Sequence, residues 1–126
     1  MHKSMLAGFI IDCRTDDLDG AAAFWGAALG LKSHKTGDPE DSEYVHLLDP
    51  QFGLHIEVQR VPHESRVHLD IQTDDIDAEA TRLEALGARR VKKIKRWWVM
   101  EAPTGQHFCV VRASSPDFAQ KATTWK

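Results

Sequence analysis

Ile10-Ile11-Asp12-Cys13-Arg14-Thr15-Asp16-Asp17-Leu18-Asp19 returns 58 residues downstream as His68-Leu69-Asp70-Ile71-Gln72-Thr73-Asp74-Asp75-Ile76-Asp77. Asp12, Thr15, Asp16, Asp17 and Asp19 each meet an identical residue in the second copy. A second match, offset by 52 residues, lays Gly53-Leu54-His55-Ile56-Glu57-Val58-Gln59-Arg60 over Gly105-Gln106-His107-Phe108-Cys109-Val110-Val111-Arg112. Gly53, His55, Val58 and Arg60 recur. A repeat fixes architecture more firmly than local propensity does. The difference between the offsets places extra chain in the first copy, in the polar run Thr36-Gly37-Asp38-Pro39-Glu40-Asp41-Ser42, which reads as a loop.

Each copy has one order of elements. Phe9 to Arg14 and Val67 to Gln72 carry the period-2 alternation of a half-buried strand. A helix follows in both. Asp16 or Asp17, and Asp74 or Asp75, are set to cap the free amides of the first turn, and Asp19 and Asp77 add charge favourable to the dipole. Leu18, Ala22, Trp25 and Leu29 form one apolar stripe, and Ile76, Ala80 and Leu83 the other. Gly30 and Gly87 suit a left-handed stop. Strands are expected at 31–36, 43–49 and 54–60, then at 89–94, 97–101 and 107–112, with turns at Asp49 to Gly53 and Glu101 to Gly105. The fold class is therefore α+β: two tandem βαβββ modules, about 7–61 and about 65–112, forming a curved mixed sheet around a cleft with the helices outside. The tail, 113–126, is expected to hold a short capping helix. A chain of 126 residues makes this one domain.

Composition narrows the function. Lys and Arg number 16 against 19 Asp and Glu, a formal charge of −3, so no basic field exists to hold nucleic acid. The longest apolar stretches, such as Ala21 to Trp25, fall far short of the roughly 20 residues of a membrane span. A cytoplasmic location is expected. Cys13 and Cys109 make no disulfide framework and read as small hydrophobes or thiols. Seven histidines are the unusual count.

Strand alternation sorts these residues. Phe9, Ile11, Cys13, Leu54, Ile56, Val58, Val67, Leu69, Ile71, Phe108 and Val110 are expected to face the helices. The opposite set contains Ile10, Asp12, Arg14, His55, Glu57, Gln59, His68, Asp70, Gln72, His107, Cys109 and Val111. Such a face either meets water or lines a cleft; His, Asp, Gln and Cys are the side chains used for ligands and acid–base work. Asp12 and Asp70 occupy equivalent positions, where they either pair with each other or bond a neighbouring His or Arg14. Glu57 and His68 are either acid–base groups or an ion pair. Trp97 and Trp98 point to opposite faces, one into the core and one over the cleft mouth. Lys92 to Arg96 reads as a solvated hairpin tip. His2, His34 and His63 are placed in the tail or in loops without a role, and His46 is left unassigned.

The doubled βαβββ plan, Phe24-Trp25-Gly26-Ala27-Ala28-Leu29-Gly30, Val67-His68-Leu69-Asp70 and the Asp-Pro or Ala-Pro turns resemble the vicinal oxygen chelate superfamily, which includes glyoxalase I, bleomycin resistance proteins and extradiol dioxygenases. Val61-Pro62, Arg66 to Asp70, Trp97-Trp98-Val99-Met100 and Phe108-Cys109-Val110-Val111 are similar to its bacterial glyoxalase-like domain subgroup; the resemblance spans 7–112. It implies a divalent metal held at four strand positions, which fall here on Ile10, Glu57, His68 and Cys109. Ile10 has no donor atom, so a third ligand is expected from Asp12 or Asp70. The expected cofactor is at most zinc, nickel, manganese or iron held by Glu57 and His68, and none bound tightly.

The function expected is a glyoxalase-like small-molecule enzyme, a lyase or isomerase, acting in a polar cleft on a compact oxygen-bearing substrate. Glu57 and His68 are its candidate catalytic residues. Asp12, His55, Asp70, Trp97, Trp98, His107 and Cys109 are its candidate substrate contacts. The alternative is a metal-free, bleomycin-resistance-like protein that binds a drug or metabolite; a third reading makes a dimer surface the function. Expected partners are a small-molecule ligand and a second copy of the chain.

Overall fold

The computed structural model describes residues 1–126. Elements run in the order β1 (His2–Cys13), α1 (Leu18–Leu29), β2 (Lys32–His34), β3 (Tyr44–Leu48), β4 (His55–Arg60), β5 (Arg66–Thr73), α2 (Ile76–Ala85), β6 (Arg89–Ile94), β7 (Trp97–Glu101), β8 (His107–Arg112), α3 (Phe118–Lys121) and β9 (Thr123–Trp125). The class is α+β, as expected. Two compact units form: Gly8–Val67, and Met1–Ala7 together with His68–Lys126. No helix is long and apolar enough to cross a membrane.

In the unit Gly8–Val67 the strand order is β2-β3-β4-β1. β1 runs parallel to β4, with Ile10 opposite Glu57, and β3 runs antiparallel to β4, with His46 opposite Glu57. The Asp17 carboxylate accepts from the Gly20 amide and Gly30 closes α1 at φ 71°. At φ 71° a β-carbon is unfavourable, which is why glycine stops the helix. α1 packs on β2, β3 and β4. Leu18, Ala22, Val45, Leu47, Ile56 and Val58 form the core between them, flanked by Phe9, Cys13 and Trp25. The inner stripe of α1 differs from expectation at its end: Gly26 is buried and Leu29 is 44% exposed. Because Gly26 has no side chain, Leu47 and the carbonyl of Leu31 approach it closely, and the helix needs no leucine there. The polar run at 36–42 holds a single 3-10 turn, Pro39–Asp41, capped by Asp38. Asp49 accepts from the amides of Gln51, Phe52 and Leu54, and so shapes the β3–β4 turn.

Gly8 is a different kind of glycine. It stands opposite His55 in the β1–β4 register, and a β-carbon there would collide with the His55 backbone.

In the other unit the order is β5-β8-β7-β6. β5 runs parallel to β8, with Asp70 opposite Cys109, and β7 runs antiparallel to β8, with Val99 opposite Cys109. Asp75 caps α2 through the Ala78 amide. α2 covers β6, β7 and β8 over a core of Ala80, Leu83, Met100, Phe108 and Val110. Leu69, expected under a helix, is 52% exposed, whereas Ile71, two residues on, packs against the core beneath α2. Val67, at the end of the first unit, is also exposed, at 58%.

The ends of the chain depart furthest from expectation. β1 begins at His2 rather than near Phe9, because His2, Lys3 and Ser4 pair antiparallel with Trp125, Thr124 and Thr123 of β9. The tail therefore adds a strand after its short helix. His2, expected to have no role, places Nε2 2.8 Å from the Glu79 carboxylate on α2, whose side chain is fully buried. Arg82 donates to both Glu79 oxygens at 2.8 Å and stacks over Trp125, whose indole donates to Ser4 Oγ. Burial pushes the Glu79 carboxyl up, but the bonds from Arg82, then His2 and Ser4, outweigh it and hold it below its ordinary value.

Candidate functional site

The face of β3 and β4 turned away from α1 carries Tyr44, His46, His55, Glu57 and Gln59. Alternation puts them there, since Val45, Leu47, Ile56 and Val58 take the core. Glu57 is central. His55 Nε2 lies 2.7 Å from its Oε1 and His46 Nε2 3.2 Å from its Oε2, with the two imidazoles edge to face at 5.2 Å between centroids. The Glu57 side chain is 13% exposed, against 28% and 34% for the two histidines, so the carboxylate sits beneath imidazoles that reach solvent. His46, unassigned in the sequence, thus joins the site. Beside this cluster, Gln59 donates to the Tyr44 hydroxyl at 3.1 Å.

Asp12 shares this face but is buried, with Arg66 Nε 3.9 Å from Oδ2. Arg66 thus supplies a cation near it. Cys13, on the other side of the strand, is half-buried among core residues. Burial, then the Asp12 charge, pushes its thiol up against a lowering bond with Trp25. Cys13 is a packing group, held protonated at neutral pH.

The second unit carries its own cluster on the face opposite α2. His68 Nε2 stands 3.4 Å from Asp70 Oδ1, and Cys109 lies across from Asp70, with donor atoms of all three residues within 4.8 Å of one another. Asp70 is 7% exposed. Gln72, next on the strand, is withdrawn from this chemistry: it donates to Ser115 Oγ and accepts from the amides of Ser114 and Ser115, pinning the tail. His107 lies 3.6 Å from Glu101, which also binds Arg89, so its nearest acidic partner belongs to a surface ion network.

The two tryptophans divide as their adjacency requires. Trp98 joins the α2 core, donates from Nε1 to Asp77 at 3.0 Å and packs beneath Arg90 and Lys93. That bond, ahead of the nearby cations, lowers the Asp77 carboxyl. Trp98 is therefore off the polar face. Trp97 alternates with it and stands, half-buried, on the face of Val99 and Cys109.

The metal set implied by resemblance is not complete in this chain. Ile10 is 2% exposed and offers no donor. Of the remaining positions, Glu57 lies with His46 and His55, and His68 and Cys109 lie with Asp70.

Residues 8–111 match the family model for the glyoxalase-like domain. Among curated proteins no sequence matches significantly. Solved structures share the fold. Methylmalonyl-CoA epimerase from Mycobacterium tuberculosis is 18% identical over 86% of this chain and 88% of that one, with a TM-score of 0.64. A methylmalonyl-CoA epimerase in complex with methylmalonyl-CoA and NH4+ is 17% identical over 90% and 97%, at 0.60. The 2,2',3-trihydroxybiphenyl 1,2-dioxygenase of Sphingomonas wittichii is 16% identical over 90% of this chain and 42% of that one, at 0.58. The family match spans most of the sequence, and these folds agree with it: the chain belongs to the glyoxalase-like domain family, within the vicinal oxygen chelate superfamily.

Proposed function

We propose that the chain is a small-molecule enzyme of the isomerase or lyase type, moving a proton on a compact substrate that carries neighbouring oxygens. The observation that carries this reading is the buried Asp70 carboxylate 3.4 Å from His68 Nε2. A carboxylate beside the ring orients the imidazole, the side chain suited to exchange a proton near neutral pH. His68 then takes a proton from the carbon beside a carbonyl and returns it. For an isomerase the proton goes back to the same or the adjacent carbon; for a lyase, bond cleavage intervenes. Asp70 positions the imidazole. Glu57, flanked by two imidazoles, is the second residue assigned, as base or ligand. The fold neighbours include an epimerase bound to methylmalonyl-CoA, which makes acyl thioesters a rational part of the substrate panel.

The test is incorporation of solvent deuterium at the carbon next to the carbonyl, followed by NMR across 2-hydroxy ketones, 2-oxo acids and methylmalonyl-CoA. Exchange with at least one of them is expected, falling about 100-fold in His68→Ala and about 10-fold in Asp70→Asn. Exchange that survives His68→Ala unchanged removes His68 from the mechanism.

Trp97 favours one competing reading, a binding protein without chemistry, because it leaves an indole on the polar face. Aromatic cations would then quench tryptophan emission, and Trp97→Phe would abolish that response while Trp98→Phe would not. A homodimer is proposed as the solution state, and a sedimentation mass of a single chain would rule it out.

A further inference from the structure

We infer that His46, His55 and Glu57 form a divalent metal site contained within the unit Gly8–Val67, sharing only Glu57 with the four-position set that the resemblance implies. The site goes beyond the proposed function and needs only residues of this unit.

Three observations on one strand pair support the site. First, the donors converge: the His55 and His46 Nε2 atoms contact different oxygens of Glu57 at 2.7 and 3.2 Å, and all three donors fall within 4.8 Å of one another. Metal bonds of about 2.1 Å place neighbouring donors roughly 3.0 to 3.4 Å apart, close to the two imidazole–carboxylate separations, so rotation of the partly exposed imidazoles would admit an ion. Second, the backbone fixes the convergence. His46 and Glu57 are cross-strand partners in the β3–β4 hairpin, and His55 precedes Glu57 by two residues on the same face. Third, access matches the task. The imidazoles are about a third exposed while the carboxylate lies beneath them, so an ion enters from solvent and keeps an open coordination position outward.

The donor chemistry selects the ion. Two imidazoles and a carboxylate suit zinc, nickel, cobalt or iron(II) over calcium or magnesium, which take oxygen alone. Three protein ligands with an open position are the catalytic form of zinc coordination, whereas structural zinc is closed by four. The open position accepts water or a substrate oxygen. Ile10, opposite Glu57 on β1, then needs no donor atom, because His46 from the other flanking strand supplies it.

The experiment titrates the metal-free full chain with Co(II) and reads visible absorption, with Zn(II) competition. One equivalent is expected to bind, with bands of a nitrogen and oxygen donor set and no thiolate charge-transfer band. His46→Ala and His55→Ala should each weaken binding about 100-fold, while His68→Ala and Cys109→Ala stay within about threefold of the natural chain. In the natural chain itself, Co(II) should give two strongly shifted, solvent-exchangeable imidazole N–H resonances, one for each coordinated histidine, a readout that needs no variant to fold. Absence of binding by Co(II), Ni(II) and Zn(II), a thiolate band, or loss of binding in His68→Ala or Cys109→Ala overturns the site. Binding without deuterium exchange defeats the proposed function and leaves the site standing; exchange without binding does the reverse.

Discussion

Glu79→Ala lowers the stability of the folded chain by about 3 to 5 kcal/mol, the cost of removing one partner from a buried ion pair. Glu79 is 0% exposed, and its two oxygens take two bonds from Arg82 and one from His2. Removing the carboxylate strands a guanidinium that is itself three-quarters buried, at 24% exposure, and frees the strand that His2 anchors. Urea unfolding at pH 7 measures the loss. The carboxyl is held below its ordinary value of 4.5, so its contribution is fully present above that value and is lost as pH falls through the folded-state value. The natural chain should therefore shed stability on acidification below about pH 4.5, and Glu79→Gln should show a shallower decline over the same range. Parallel declines would mean that other carboxylates govern acid unfolding.

Leu47→Ala and His46→Ala, neighbours on β3, should have opposite consequences. Leu47 is 2% exposed and packs under α1, with a terminal methyl 3.7 Å from where a side chain on Gly26 would begin. Its truncation leaves a cavity in a small core and costs about 3 kcal/mol, within the 2 to 5 typical of leucine deletions. His46 points to the other face and is partly exposed; its removal should change stability by less than about 0.5 kcal/mol. Thermal unfolding of the two variants separates them. A destabilisation by His46→Ala equal to that of Leu47→Ala would show that the imidazole is packing, not chemistry.

The fold was legible wherever its cause was local. The caps Asp17 and Asp75, the stop at Gly30 and the alternation in β4 and β8 are written within a few residues of the element they shape, and the expected spans agree with the observed ones to within a residue or two. The pairing of His2 to Ser4 with Thr123 to Trp125 has no local cause. Its stability comes from Glu79 and Arg82 on α2 and from Trp125, all far from His2 in the chain. One signal was present: Glu79 falls on the apolar stripe of α2, between Ile76 and Leu83, where a carboxylate must find partners. The candidate site was legible as a list of polar-face residues, Glu57, His55, His68 and Asp70 among them, but its grouping was not. His46 joins Glu57 only through the register of the β3–β4 hairpin, which depends on how Asp49 folds the turn.

Gly8 belongs to that grouping although it has no chemistry of its own. It lets β1 lie close enough to β4 for the His55 backbone to occupy its place, and His55 carries an imidazole of the Glu57 cluster. A methyl group at position 8 pushes the start of β4 outward, and an error of about 1 Å in a ligand's backbone is enough to spoil a preorganised site. Transplanting the three donors onto another βαβββ scaffold therefore means carrying a fourth, mute position with them, and a relative bearing both histidines and the glutamate but a bulkier residue there would hold its ion weakly.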